Sequence, residues 1–227
     1  MYEPTDLPVL PFNLLDNYPS VVVKSWVESH ISPEVQDRFG IRFNATDSSI
    51  LIPHWDVDGN LVGVRKRALV DDDIRFGKYR PAVIKGELRN HPLAFNLYGI
   101  DKALTAIRES HMAIVVESEK SVMQSHTYGI EQTVACCGSS ISMYQVNMLR
   151  QAGATHVVIG FDRDYKSLNS DEAQQVANRL KKLNDKISPY MRVSFLWDKK
   201  DRLGYKDSPF DRGKDVLMEL WKDRVVL

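Results

Sequence analysis

Acidic residues stand at the ends of successive apolar runs. Ala113-Ile114-Val115-Val116 ends at Glu117, His156 to Phe161 ends at Asp162 with Asp164 two residues on, and Val193 to Trp197 ends at Asp198. In extended backbone, residues i and i+2 point the same way, so Asp162 and Asp164 can converge on one ion where strand gives way to loop. A carboxylate cluster repels itself unless a cation sits in it, and hard oxygen ligands suit Mg²⁺ or Mn²⁺. Such a site can stabilise the attacking and leaving oxygens of phosphoryl transfer. Taken singly, each acid reads as easily as a turn former or helix cap. The argument rests on the set.

The set needs a scaffold that gathers it. Between the acidic ends run helical periods: Leu97, Ile100, Ala103, Leu104 and Ile107; Ile141, Tyr144, Met148, Leu149 and Ala152; Ala173, Val176, Ala177, Leu180 and Leu183. A further helix follows Glu117 to about Tyr128, and Thr133 to Cys136 is a further strand. Apolar strands alternating with amphipathic helices predict a parallel sheet flanked by helices, with all strand C-termini on one edge. In open α/β sheets that edge is where ligands bind.

The chain before residue 97 follows another rhythm. Residues 1–19 hold four prolines and read as an arm. Val21 to Ser29 predicts a helix, and Ser32-Pro33-Glu34 an N-cap with proline at N1, opening a short helix that stops at Gly40. Ile41 to Phe43, Ser49 to Pro53 and Leu61 to Ala68 predict strands, with a hairpin turn at Asp58-Gly59. Asp71 to Asn90 reads as a charged loop. This part forms a small α+β region ahead of the α/β part.

The 227 residues carry a formal net charge of zero, so no global basic field advertises nucleic acid. Positive charge is local: Arg65, Lys66, Arg67, Arg75, Lys78, Arg80 and Lys85 fall in one stretch. Phosphate contacts by Arg65, Arg67, Lys78 and Arg80, with Tyr79 stacking on a base, are the expectation, against the plainer reading of a solvated loop. The two cysteines, Cys136 and Cys137, are adjacent and offer neither a disulfide framework nor a zinc ribbon. No secretory leader or membrane span is read from the sequence, and a reducing cytoplasm is the expected setting.

At this point the motifs become recognisable. IVVESEKS (residues 114–121) resembles the first motif of TOPRIM domains, VACCGSS (134–140) the second strand with its glycine turn, and VIGFDRD (158–164) the D-x-D strand. ISPEVQDRFGIRF (31–43), the hairpin around Asp58-Gly59, Lys78-Tyr79-Arg80 and Asn96-Leu97-Tyr98-Gly99 resemble markers of the catalytic core of bacterial and phage DNA primases. The resemblance covers roughly residues 30–215.

It implies four parts: an arm at 1–19, a small α+β subdomain at 20–97, a TOPRIM domain at 98–205 and a helical segment at 206–227. It implies a metal-dependent primase that makes RNA primers on single-stranded DNA from ribonucleoside triphosphates. Glu117, Asp162 and Asp164 would be catalytic and, with Asp198 and Asp207, would hold Mg²⁺ or Mn²⁺; Lys120 and Gly138 would contact the nucleotide. A replicative helicase or a separate zinc-binding domain are the implied partners. A TOPRIM nuclease and a non-catalytic nucleic-acid-binding or replisome module are the alternatives. The sequence departs from the family at Ser118-Glu119, where cellular primases carry glycine after the glutamate. A basic insertion, Lys199 to Lys206, also separates Asp198 from Asp207.

Overall fold

A computed structural model describes residues 7–69 and 79–227. Arg75 and Lys78, two of the basic residues singled out above, lie outside the described residues.

The N-terminal part is a four-stranded antiparallel sheet in the order β1 (Arg42–Asn44), β2 (Ser49–Trp55), β3 (Leu61–Ala68), β4 (Tyr79–Pro81). The hairpin at Asp58-Gly59 is as expected, with Gly59 at φ +80°. β4 was not legible as a strand. It is three residues long, and its pairing with Arg65, Lys66 and Arg67 of β3 is what makes it one. A small hairpin, β5 (Val83–Ile84) and β6 (Glu87–Leu88), follows.

Two short helices precede and flank this sheet. The expected helix over 21–29 shrinks to one turn, α1 (Lys24–Val27), ended by His30 at φ +64°. α2 (Pro33–Arg38) starts as its sequence dictates: Ser32 Oγ accepts from the Val35 N–H, proline occupies N1, and Gly40 at φ +68° closes it.

The period of two in β2 decides which way the sheet faces. Ile50 and Ile52 look toward the second half of the chain, and Leu51 looks the other way. The arm is not a free strand of chain. Its Leu14 and Leu15 are buried with Leu51, Leu61 and Val64, covering the sheet's outer face.

The second half is a parallel sheet in the order β10 (Arg192–Phe195), β9 (His156–Gly160), β7 (Met112–Val116), β8 (Thr133–Ala135). Its helices are α3 (Ile100–Ser110), α4 (Glu119–Thr127), α5 (Met143–Gln151) and α6 (Asp171–Ile187). Alternation again sorts the strands. Ala113, Val115, Val157 and Ile159 enter one core with α3, α5 and α6. Ile114, Val116 and Val158 enter the other, which they share with Trp26, Ile31, Phe39, Ile50 and Ile52. The two halves of the chain therefore share one apolar core, at about 1.5–3 kcal/mol per buried aliphatic side chain. The last helix, α7 (Lys214–Lys222), buries Leu217 and Leu220, and Val225 then exchanges backbone hydrogen bonds with Phe195 on the exposed edge of β10. Among the described residues no helix is long and apolar enough to cross a membrane.

Gly99 illustrates how tightly α3 and α4 are set together. It opens α3 at φ +82°, and a Cβ there would lie 3.0 Å from Val122 Cγ1 of α4. Gly99→Ala is expected to cost about 1–2 kcal/mol through left-handed strain and crowding. Thermal melting should fall by several degrees; an unchanged midpoint would show that the turn relaxes freely.

A carboxylate cleft between the two sheets

Glu117 is the first residue after β7, and Ser118 immediately caps α4 by accepting the Ser121 N–H on its Oγ. The glutamate is thereby held at the strand-to-helix turn. Asp162 lies two residues beyond β9 on the same sheet edge. An open cleft of about 420 Å³ is lined there by Glu117, Asp162, Lys120, Gly138 and Asp211 on one side and by Arg65 and Tyr79 on the other. Cys137, at φ +57°, turns the chain out of β8 into Gly138.

The carboxylates are short of partners. Glu117 Oε1 and Asp162 Oδ1 are buried without a hydrogen-bond donor. Burial pushes Glu117 up to about 7, aided by the Asp164 charge and opposed by Arg179. Burial likewise pushes Asp162 up to about 7, with the Glu117 charge next in weight. Unpaired acid oxygens at the mouth of a cleft fit a divalent cation. Arg179 of α6 supplies the nearest positive charge: its Nη2 is 3.9 Å from Glu117 Oε1 and 3.6 Å from Asp164 Oδ2. These distances are too long for hydrogen bonds, so the guanidinium attends the acids without satisfying them.

The other two acids of the expected set are engaged elsewhere. Asp198 is buried, accepts the backbone N–H groups of Lys200 and Leu203, and pairs with Arg163 at 3.3 Å. Asp207 accepts the Gly204 N–H at 2.7 Å and pairs with Arg212. Neither lines the cleft, and nor does Asp164, which borders a neighbouring recess with Arg179. Asp211 does, four residues beyond Asp207. It pairs with Lys120 at 2.7 Å, accepts from Gln124, and caps the turn at Ser208 N–H. Those donors hold its carboxyl below the usual range although burial opposes them. Lys120 thus reaches the cleft already neutralised in part. Asp211 and Arg179 carried no signal in the sequence, since both come from segments whose approach depends on how helices pack.

The basic stretch splits by strand alternation. Arg65, Arg67 and Tyr79 share the face of the antiparallel sheet that looks into the cleft, because Tyr79 is directly opposite Arg67. Lys66 and its partner Arg80 point to the other face, where Lys66 pairs with Asp47 at 2.5 Å. The Tyr79 ring already has Arg65 and Arg67 guanidiniums each 5.9 Å from its centroid, and burial raises its hydroxyl far above the ordinary value. The ring is half-buried in the cleft wall, which leaves less of it for the expected stacking.

Ser118-Glu119, the departure from the family pattern, has a structural role for its second member. Glu119 is buried; its Oε1 accepts from Arg65 Nη1 at 2.6 Å and from His54 Nε2 at 3.2 Å. Burial alone would raise it, but the His54 hydrogen bond and the Arg65 charge hold it down at about 2. Burial keeps His54 neutral, so the ring donates Nε2–H to the carboxylate. His54, Glu119 and Cys137 present ligand atoms within 4.8 Å of one another, the one such group found among the described residues. It does not fit a metal ion. Arg65 already occupies the carboxylate, and burial holds the Cys137 thiol well above its ordinary value, hence protonated. The group is instead the tie between the antiparallel sheet and α4.

Acids at one edge of a four-stranded parallel sheet, after strands β7 and β9, define a TOPRIM-type domain. No protein-family model matches the chain. It is 32% identical over 232 residues to an uncharacterised protein from the SPbeta prophage of Bacillus subtilis, covering 97% of this chain and 61% of that one. It is 32% identical over 118 residues to a DNA primase of Synechococcus elongatus, covering 51% of this chain and 16% of that one. Among solved structures, the zinc-binding and RNA polymerase domains of the Aquifex aeolicus primase superpose with a TM-score of 0.72 at 20% identity, over 95% of this chain and 60% of that one. A DnaG primase catalytic domain bound to single-stranded DNA superposes with a TM-score of 0.64 at 18% identity, over 89% and 74%. The chain therefore has the fold of the catalytic core of bacterial DNA primases, with its TOPRIM-type sheet. It spans less than two thirds of the length of the curated relatives it matches.

Proposed function

We propose that this chain is a metal-dependent primase core that synthesises short RNA primers on single-stranded DNA. The observation that carries the reading is the cleft. Unpaired carboxylate oxygens of Glu117 and Asp162 on one wall face Arg65 on the other, in a fold of primase type. In this reading residues 20–97 act as the strand-binding subdomain, 98–205 as the TOPRIM domain and 206–227 as the segment that closes over β10.

Glu117, Asp162 and Asp164 are the residues that would hold Mg²⁺ or Mn²⁺, which when bound neutralises triphosphate charge as pyrophosphate leaves. Arg65 and Arg67 take phosphates of the template strand on the opposite wall. Arg65 is braced by Glu119 and by the Tyr79 carbonyl, so its guanidinium is oriented before any ligand arrives. Lys120 and the backbone at Gly138 stand beside the acids, where the incoming ribonucleoside triphosphate would lie. Glu117 would either complete the metal's ligands or accept a hydrogen bond from the attacking 3′-hydroxyl and so orient it. A zinc-binding domain, in a partner or elsewhere in the same protein, or a replicative helicase completes the reading.

The test is incorporation of labelled ribonucleotides on mixed-sequence single-stranded DNA with Mg²⁺ or Mn²⁺, with and without an annealed primer. Metal-dependent extension supports the reading. Shortened template without incorporation would replace it with a nuclease, and neither activity would leave a binding module.

The site also predicts a pH dependence. Glu117 and Asp162 are raised above their unfolded values, so near neutrality they hold protons that a cation must displace. The two titrate as a coupled pair. Calorimetric titration with Mn²⁺ in buffers of different ionisation enthalpy should show about one to two protons released at pH 6 and almost none at pH 8.5. Metal affinity should weaken steadily below pH 7. Proton release that does not change with pH would place the cation elsewhere.

A further inference from the structure

The insertion after β10, Lys199 to Lys206, is fastened to the catalytic motif. Lys206 N–H donates to Arg163 O at 2.7 Å, and Arg163 N–H donates to Asp207 O at 2.9 Å. Arg163 is the residue between Asp162 and Asp164, so this end of the loop runs alongside the D-x-D segment. Lys206, at φ +65°, turns into the cleft that Asp162 lines.

Much of the loop's charge is spent on the fold. Arg202 pairs with Glu219 and Asp223, Lys200 with Asp223, and Asp201 with the buried Arg163. Tyr205 is different. It is 52% exposed, and the ammonium groups of Lys166 and Lys206 lie 5.7 Å and 5.5 Å from its ring centroid. It borders a shallow recess shared with Lys166, Ser167 and Gly204. The flanking ammonium groups make the surround of this exposed ring electropositive, which suits an anionic partner with a π-face rather than an apolar one. A base takes the ring's π-face, and its phosphates take the lysines.

We propose that Tyr205, with Lys166 and Lys206, is a stacking platform for single-stranded polynucleotide leaving the carboxylate cleft. This rests on the reading of that cleft as a nucleic-acid site. The backbone tie to Arg163 keeps the platform at a fixed distance from the acids, so it would set the path of the strand and not merely attract it. Tyr79, whose ring is half-buried in the cleft wall, leaves that task open.

Binding of a labelled oligothymidylate, read by fluorescence anisotropy without metal, tests the platform. Tyr205→Ala is expected to weaken binding about tenfold, with Tyr205→Phe within about twofold of wild type, because the ring and not the hydroxyl does the stacking. Lys166→Ala should make the logarithmic salt dependence shallower by about 0.7. In the unaltered protein, photocrosslinking of an iodouracil-substituted strand should label Tyr205. Binding by Tyr205→Ala equal to wild type, or crosslinks only elsewhere, would overturn the platform while leaving the cleft reading intact. Failure of the wild-type protein to bind the oligonucleotide at all would overturn both.

Discussion

Asp162→Asn is expected to lower metal-dependent ribonucleotide incorporation by about a thousandfold while the protein stays folded. The carboxylate has one buried oxygen with no donor, and burial, with neighbouring acids after it, pushes the group up to about 7. Folding gains nothing from that charge, so its removal spares the fold. The amide offers no charge to a cation and less to a polyphosphate site. Melting temperature should hold or rise, since an unpaired buried carboxylate costs free energy that an amide does not. Glu117→Gln should behave similarly, because its Oε1 is also without a donor. The pair of readouts matters. Lost activity with a lost fold would say little, whereas incorporation within a few-fold of wild type would take Asp162 out of the chemistry.

Glu119→Ala is expected to have the opposite profile, with its first effect on stability. Its carboxylate is the shared acceptor of Arg65 from β3 and His54 from β2, and it begins α4 of the other sheet's layer. Truncation leaves a largely buried guanidinium without its anion, which costs about 3–5 kcal/mol. Chemical denaturation should show the midpoint falling without a change in slope. The sign of the pH dependence follows from the depressed value in the folded state. Stability from Glu119 is fully present above about pH 4.5, where the unfolded chain's glutamate is ionised, and is lost as pH falls toward 2. The linked contribution is on the order of 3 kcal/mol. Glu119→Ala should therefore flatten the acid limb of the stability curve. An acid limb as steep as in wild type would mean that other carboxylates govern acid unfolding.

These two glutamates, Glu117 and Glu119, stand two residues apart and do different work. The register of a strand end decides it. Glu117 leaves β7 toward the cleft, Ser118 caps the helix, and Glu119 turns under α4 toward the antiparallel sheet. In the sequence alone Glu119 stands out only as a departure from the family pattern. The buried pairing with Arg65 and His54 is long-range, 54 and 65 residues away, and no local pattern announces it.

The sequence by itself determined much of the frame. Continuous apolar runs with period-3.6 segments between them specify a parallel sheet with helices on its faces, and both faces of β7 and β9 are apolar because both are covered. Ser32-Pro33 and Gly40 set the limits of α2 by local capping chemistry, and Asp58-Gly59 sets the hairpin. The positions of Glu117 and Asp162 at strand ends were legible for the same reason: a strand's end is a local event. Tertiary structure alone decided the rest. β4 exists because β3 supplies its partner, and that pairing sends Arg65 and Tyr79 into the cleft and Arg80 away from it. The loop after β10 folds on itself, so Asp198 and Asp207 become its fasteners and Asp211 takes the place in the cleft. Arg179 approaches Glu117 and Asp164 only because α6 packs against the sheet. Local sequence fixes how backbone hydrogen bonds are satisfied within a few residues; which charge meets which across tens of residues depends on how the layers stack.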